Sequence, residues 1–562
     1  MLEQVVRRQN KTAWWRLGLG LLFAQTWVSQ TTLGQTGGAI FAQTESPRDA
    51  GKTAAPPAQV GKPAPGTAPA AVSAETEKNA QPLPVLSPPP ADLFERKKWL
   101  EQRIDQLLAL LLPGRNRLGI VVADLASANV LYAKNADLPL NIASNVKLFT
   151  TAAALTLLGP EYRFKTVLLG EHDRADKPGE WRNLYLRGYG DPFFSTEDLW
   201  KLGAELSARG IKRVKGDLVI DDSFFDEMRV GPAFEQKNQD ASYRAPQGAV
   251  SLNGNVITVR VFPGFAETQA ARVLLEPASA YFVLQNETRT VGKGRTSLFV
   301  EASEEKDAPP GKERTVVRVR GTIRVTETAG LDFFKRVAHP DLFTGYSLVE
   351  LAARRGVTLA GKVLRGTTPP TAQVLGTHYS PPLGVIVRDV NKRSNNFTAE
   401  QILKTLGSDA AGKPGSWPKG LQAVSSYLET VGIKPGQYQM MNGSGLFDSN
   451  RFTAQQVVTL LSAAYRDFRI SADFVGSLAV AGADGTIAHR MTGTAERFVR
   501  AKTGTLNGVT CLSGFAGGPA KPNQAPRVPL VFSILINEED TVQAKRLQDG
   551  IVEALVVLQT GS

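Results

Sequence analysis

The chain has 562 residues, a formal net charge of +12, one cysteine and four histidines. That length exceeds what a single hydrophobic core fills, so more than one domain is expected. Cys511 alone rules out an internal disulfide, and His172, His339, His378 and His489 show no ligand spacing, which points away from a zinc peptidase; no metal and no cofactor are expected.

The basic residues are scattered, with no basic stripe or aromatic-basic interleaving, so no nucleic-acid partner is expected. Peripheral association with an anionic cell wall or membrane surface is the better reading of the charge, with plain solubility as its alternative. At the N-terminus, Arg7, Arg8, Lys11 and Arg16 precede the apolar run from Leu17 to Ala24. The run is too short to span a bilayer but suits a secretory signal, so residues 1–43 are read as a signal region of an exported, periplasmic protein. Residues 44–91 are rich in Pro and Ala and are expected to form an extended tether that does not pack.

Order is expected from Asp92, where "DLFERKKWLEQRIDQLLALLL" has helical apolar spacing and an Asp N-cap, ended by Pro113-Gly114. A β-hairpin follows in "RLGIVVADLASANVLYAKNADLPL", then an Ala- and Leu-rich helix in "NIASNVKLFTTAAALTLLG". The middle, from Tyr185 to Phe343, reads as strands and turns. Helices are expected at Ser347–Arg355, Pro381–Lys392, Asn396–Leu406, Leu421–Val431 and Thr453–Tyr465. Three strands, "FVRAKTGTL", "VTCLSGFAG" and "VPLVFSILIN", precede a closing amphipathic helix. If the two ends meet, hairpin and strands make a five-stranded antiparallel sheet. Cys511 lies in an apolar run and is read as a small core residue.

Ser144 stands three residues before Lys147, at a helix mouth that disfavours positive charge. Residues i and i+3 share a helix face, so the amine can reach the hydroxyl, giving a serine nucleophile with a lysine base. A bare S-x-x-K is more often a capped surface helix than a dyad, and Ser303-Glu-Glu-Lys306 and Ser416-Trp-Pro-Lys419 match it too. Context decides. Ser394-Asn395-Asn396 falls at a loop-to-helix junction, and Lys502-Thr503-Gly504 is the single K-T-G of the chain, on the first of the C-terminal strands. S-x-x-K, S-x-N and K-T-G occur in that order, each on a suitable element.

On these motifs the chain resembles the penicillin-binding protein 4 type of D-alanyl-D-alanine carboxypeptidase/endopeptidase, peptidase family S13. The stretches "RGYGDPFFSTEDLW", "YRAPQGAVSLNGNVITVRVFPG", "NGSGLFDSNRFT" and "RAKTGTLNGV" carry the resemblance further. It implies an α+β fold: a serine β-lactamase/transpeptidase-like domain, its five-stranded antiparallel sheet flanked by helices, interrupted by nested, mostly β inserted domains. The catalytic domain is assigned to residues 92–190 and 344–562, and the insertion to 191–343.

The resemblance implies attack by Ser144 on peptidoglycan stem peptides, with Lys147 as base, Ser394 passing the proton on, and Asn396 orienting Lys147. Lys502 and Thr503 would hold the substrate carboxylate, Gly504 would let the substrate backbone approach, and Thr505 N–H would help hold the oxyanion. β-Lactams are expected as covalent inhibitors. Asn442 and Asn145 depart from the family's usual Asp and Thr, which leaves open the role of the first around the site. A β-lactamase on the same fold and a silent wall-binding protein are the alternatives.

Overall fold

The computed structural model describes residues 83–90, 92–172, 177–234, 239–309, 311–519, 527–538 and 540–560. The residues expected to form a signal region, and the expected tether up to residue 82, lie outside the described residues.

Helix α1 (Leu93–Leu111) comes first, its N-cap Asp92 accepting from the backbone N–H groups of Phe94 and Glu95. Strands β1 (Leu118–Asp124) and β2 (Val130–Lys134) form the expected hairpin, and α2 (Val146–Leu158) follows. Far along the chain come α3 (Leu383–Lys392), α4 (Asn396–Ala411), α5 (Trp417–Thr430) and α6 (Ala454–Arg466). Strands β3 (Ala479–Val480), β4 (Val499–Leu506), β5 (Val509–Ala516) and β6 (Leu530–Ile536) then lead into α7 (Thr541–Thr560).

The two ends meet. β6 pairs antiparallel with β1, from Leu118 opposite Ile536 to Asp124 opposite Leu530, giving the order β3-β4-β5-β6-β1-β2. The five expected strands are all present, and the two-residue β3 adds a sixth at the edge. Side chains alternate between two covered faces. Val121, Cys511, Phe515, Val531 and Leu535 join the core with α2 to α6, whereas Ile120, Val122, Leu512, Phe532 and Ile534 pack with α1 and α7. Two buried faces explain why these strands read as continuous apolar runs. α2 lies deep in the first core: every residue from Val146 to Leu155 is buried.

Between α2 and α3 the chain builds further sheets. One has five strands, in the order 363–365, 218–221, 184–188, 165–170 and 373–379. It therefore straddles both boundaries, 190 and 344, set from sequence. Two three-stranded sheets use residues 256–336, and a small one joins 180–181, 213–214 and 358–359. Two helices here depart from expectation. Thr196–Ala208 lies where strands were expected, and is started by a capping box between Ser195 and Asp198. The helix expected at Ser347 begins at Pro340, a residue suited to a first turn because it lacks the N–H that would go unpaired there.

The tether's last residues correct the expectation that none of it packs. Leu83 and Leu86 rest on the core under α1 and α7, Trp99 Nε1 donates to Ser87 Oγ at 3.1 Å, and Arg103 donates to the Pro84 carbonyl at 2.7 Å. A chain beginning at Asp92 should keep its acylation rate but lose about 1–2 kcal/mol of stability through those contacts. Thermal melts of the two chains check this; equal melting temperatures would contradict it.

Candidate active site

The site forms where α2, α4 and β4 converge. Ser144 sits in a 3-10 turn, Ala143–Asn145, immediately before α2. The turn is held from several sides. Asn141 Oδ1 accepts from Ala143 N–H at 2.8 Å, Asn141 and Asn537 exchange hydrogen bonds at 2.8 and 2.9 Å, and Asn145 Nδ2 donates to Ser513 Oγ of β5 at 2.8 Å. Ala143 takes a left-handed φ of 45°, a conformation that these contacts must hold against its side chain.

Lys147 is completely buried. Its Nζ lies 2.9 Å from Ser144 Oγ, 2.7 Å from Asn396 Oδ1 and 2.5 Å from the Ser444 carbonyl. Burial holds its amine well below the ordinary lysine range, the Lys502 cation lowers it further, and Glu400 opposes both. Asn396 is the first residue of α4, and its Nδ2 donates to the Tyr243 carbonyl at 3.2 Å, which fixes Oδ1 toward the lysine. Asn395, the middle residue of the S-x-N motif, is the helix N-cap and accepts from Thr398 N–H at 3.1 Å.

Lys502 is also fully buried, and burial pushes its amine down to about 7. It donates to Ser394 Oγ at 3.0 Å and to the Thr503 carbonyl at 2.9 Å. Ser394 thus sits against the second lysine, with a φ of 59° that turns the chain into the α4 cap. Thr503 Oγ1 donates to Thr486 Oγ1 at 2.7 Å. β3 pairs only with Arg500 and Ala501, so among the described residues no strand covers the edge of β4 from Lys502 onward.

Gly504 has a structural reason of its own. A side chain there would come within 2.5 Å of the Ile142 carbonyl and 3.2 Å of Ala143 Cβ. Glycine lets β4 lie against the turn that carries Ser144. Thr505 follows on the same strand, opposite Thr510.

Ser144, Lys147, Ser394, Asn396 and Lys502 to Thr505 therefore gather on α2, α4, β4 and the turns that lead into the two helices. Two that sequence reasoning missed join them: Glu400, one turn beyond Asn396, and Ser444, through its main chain. Asn442, whose role was open, is a loop organiser. Its Oδ1 accepts from Gly445 N–H at 2.9 Å and its Nδ2 donates to the Leu446 carbonyl and Ser449 Oγ. Among the described residues no cluster of His, Cys, Asp and Glu is gathered as for a metal ion, and no helix is long and apolar enough to cross a membrane.

The sequence pattern of the D-Ala-D-Ala carboxypeptidase 3 (S13) family matches residues 100–557. The chain belongs to the S13 peptidase family. It is 35% identical over 452 residues to a D-alanyl-D-alanine carboxypeptidase of Actinomadura sp. (strain R39), covering 78% of this chain and 80% of that one. Its fold is similar to penicillin-binding protein 4 from Haemophilus influenzae, with a TM-score of 0.68 and 23% identity over 80% of this chain and 97% of the other. The same Haemophilus protein complexed with a β-lactam superposes with a TM-score of 0.62, at 23% identity and over 80% of this chain and 98% of that one. The S13 chain described here thus has the α+β fold of a serine D,D-peptidase with inserted domains.

Proposed function

We propose that this S13 peptidase cleaves D-alanyl-D-alanine ends and cross-links of peptidoglycan stem peptides through an acyl-enzyme on Ser144. One observation carries the reading: Lys147 Nζ has two acceptors that cannot donate, Asn396 Oδ1 and the Ser444 carbonyl, besides Ser144 Oγ. A neutral amine has two N–H groups and one lone pair. The two acceptors take both N–H groups, which leaves the lone pair for the Ser144 hydroxyl proton. Burial and Lys502 keep the amine in that neutral form.

As Ser144 Oγ bonds to the carbonyl carbon of the penultimate D-Ala, its proton passes to Lys147. The oxyanion is held by the Ser144 and Thr505 N–H groups, donors whose loss typically costs ~10²–10³ in rate. When the C–N bond breaks, the terminal D-Ala amine takes the proton that Lys147 had accepted, relayed by the Ser394 hydroxyl, and Lys147 is neutral again. Water then hydrolyses the ester. The substrate lies along the free edge of β4, its terminal carboxylate on Lys502 and Thr503. Carboxylate binding raises the Lys502 pKa again, so the substrate arrives with a proton taken up.

The same acylation by a β-lactam gives a lasting adduct. The region from Lys165 to Tyr379, whose outer strands pair with one another, is the insertion we assign, wider than 191–343. Export to the periplasm and contact with the anionic wall accord with the basic N-terminus and the net charge. Incubation with a stem pentapeptide ending in D-Ala-D-Ala, and separately with a fluorescent penicillin, tests the reading. D-alanine release with a stable labelled band is expected; rapid turnover of the penicillin means a β-lactamase, and no labelling a silent binder.

A further inference from the structure

Glu400 is a buried carboxylate with no part in the chemistry above, and it lies one turn beyond Asn396 on the same face of α4. All its contacts are made inward. Oε1 accepts from Ser444 N–H at 2.8 Å; Oε2 accepts from Gly443 N–H at 3.0 Å and from Trp417 Nε1 at 2.8 Å. The carbonyls of the same two residues face the other way, toward α2. Gly443 O accepts from Thr150 Oγ1 at 2.8 Å, and Ser444 O accepts from Lys147 Nζ. The Gly443-Ser444 segment is therefore clamped between a carboxylate on α4 and the base on α2.

We propose that Glu400 is the positioning residue for Lys147: by gripping the Gly443 and Ser444 amides it aims the Ser444 carbonyl at the amine, so that α4 sets both N–H acceptors of the base. This rests on the reading of Lys147 as a neutral base. Without the grip, one N–H of the amine loses its fixed acceptor and can turn toward Ser144 Oγ, leaving the lone pair aimed elsewhere. The carboxylate also acts by charge. The charged groups bearing on Lys147 are Lys502 from β4, which disfavours the ammonium, and Glu400 from α4, which favours it. Farther along α4, Lys404 is paired with Asp226 at 2.6 Å and stacks on Trp417, so that cation is already matched.

Two variants separate geometry from charge. Glu400→Gln has the same shape but no charge and only one acceptor oxygen. It should lower the plateau rate of penicillin acylation by about 10- to 100-fold, as small misplacements of catalytic groups do. Its acidic limb should move to lower pH by about one unit, because an opposite charge has gone. Glu400→Asp keeps the charge on a shorter arm, and should lower the plateau while leaving the limb in place. A role confined to stability would move neither limb. A folded Glu400→Gln with a wild-type limb, or a Glu400→Asp with a wild-type plateau, overturns the proposal. Wild-type protein and Lys147→Met run alongside: if the first is not acylated, or the second is acylated normally, the underlying reading has failed instead.

Discussion

Replacing Lys147 with methionine is expected to cut penicillin acylation at neutral pH by at least 10²–10⁴-fold, the range associated with a positioned general base. Methionine matches the length of the buried stem, and α2 accepts it readily. What disappears is the amine 2.9 Å from Ser144 Oγ. The carboxylate site on the other lysine is untouched, so non-covalent binding of a D-Ala-D-Ala peptide should persist. Stopped-flow acylation with a fluorescent penicillin and a titration with the peptide check the two halves. Wild-type acylation by this variant would remove Lys147 from the mechanism.

Lys502→Met should separate the other way. Recognition of carboxylate-bearing substrates falls, seen as a raised KM, because the cation at the edge of β4 has gone. The Lys147 amine loses a like charge that lowers its pKa, so its pKa rises and the acidic limb of acylation moves to higher pH. That direction is opposite to the one expected for Glu400→Gln.

A stability effect accompanies it. The folded-state pKa of Lys502 is about 7, below its unfolded value. Between about pH 7 and the ordinary lysine pKa of about 10.4 the unfolded chain binds more protons, so stability rises with pH there. This residue contributes a slope of up to about 1.4 kcal/mol per pH unit. Lys502→Met should flatten the dependence across that window, which denaturant unfolding at pH 7, 8.5 and 10 reads directly. An unchanged slope would mean that burial does not hold the Lys502 amine down, and an unchanged limb that the two lysines do not sense each other.

The parts of this architecture written in local pattern were legible. β1, β5 and β6 are apolar runs because both sheet faces are covered, and each of the three motifs is a few residues long. Signals weaker than that were lost. β3 has two residues, too few to show alternation. The helix Thr196–Ala208 was hidden by strand-rich surroundings, although its Ser195-x-x-Asp198 cap was there to be read. The sheet that straddles residues 190 and 344 depends on pairings between distant strands, which periodicity does not encode.

At the site, the residues carried by the three short motifs were legible, whereas Ser444 meets Lys147 through its carbonyl, to which any residue type gives the same atom. Glu400 could have been noticed as a carboxylate one turn from Asn396 on a helix with an apolar burden. Gly504 signals a close approach, and the structure shows one to the protein's own Ile142 carbonyl, a partner far away in the sequence.

The central claim is that Ser144 is the nucleophile, and mapping the β-lactam adduct tests it most directly. The protein is incubated with benzylpenicillin, digested, and the modified peptide is sequenced by mass spectrometry, with Ser144→Ala treated in parallel. The adduct is expected on Ser144 and absent from a folded Ser144→Ala. An adduct on Ser394, or one that survives the Ser144→Ala replacement, would contradict the account.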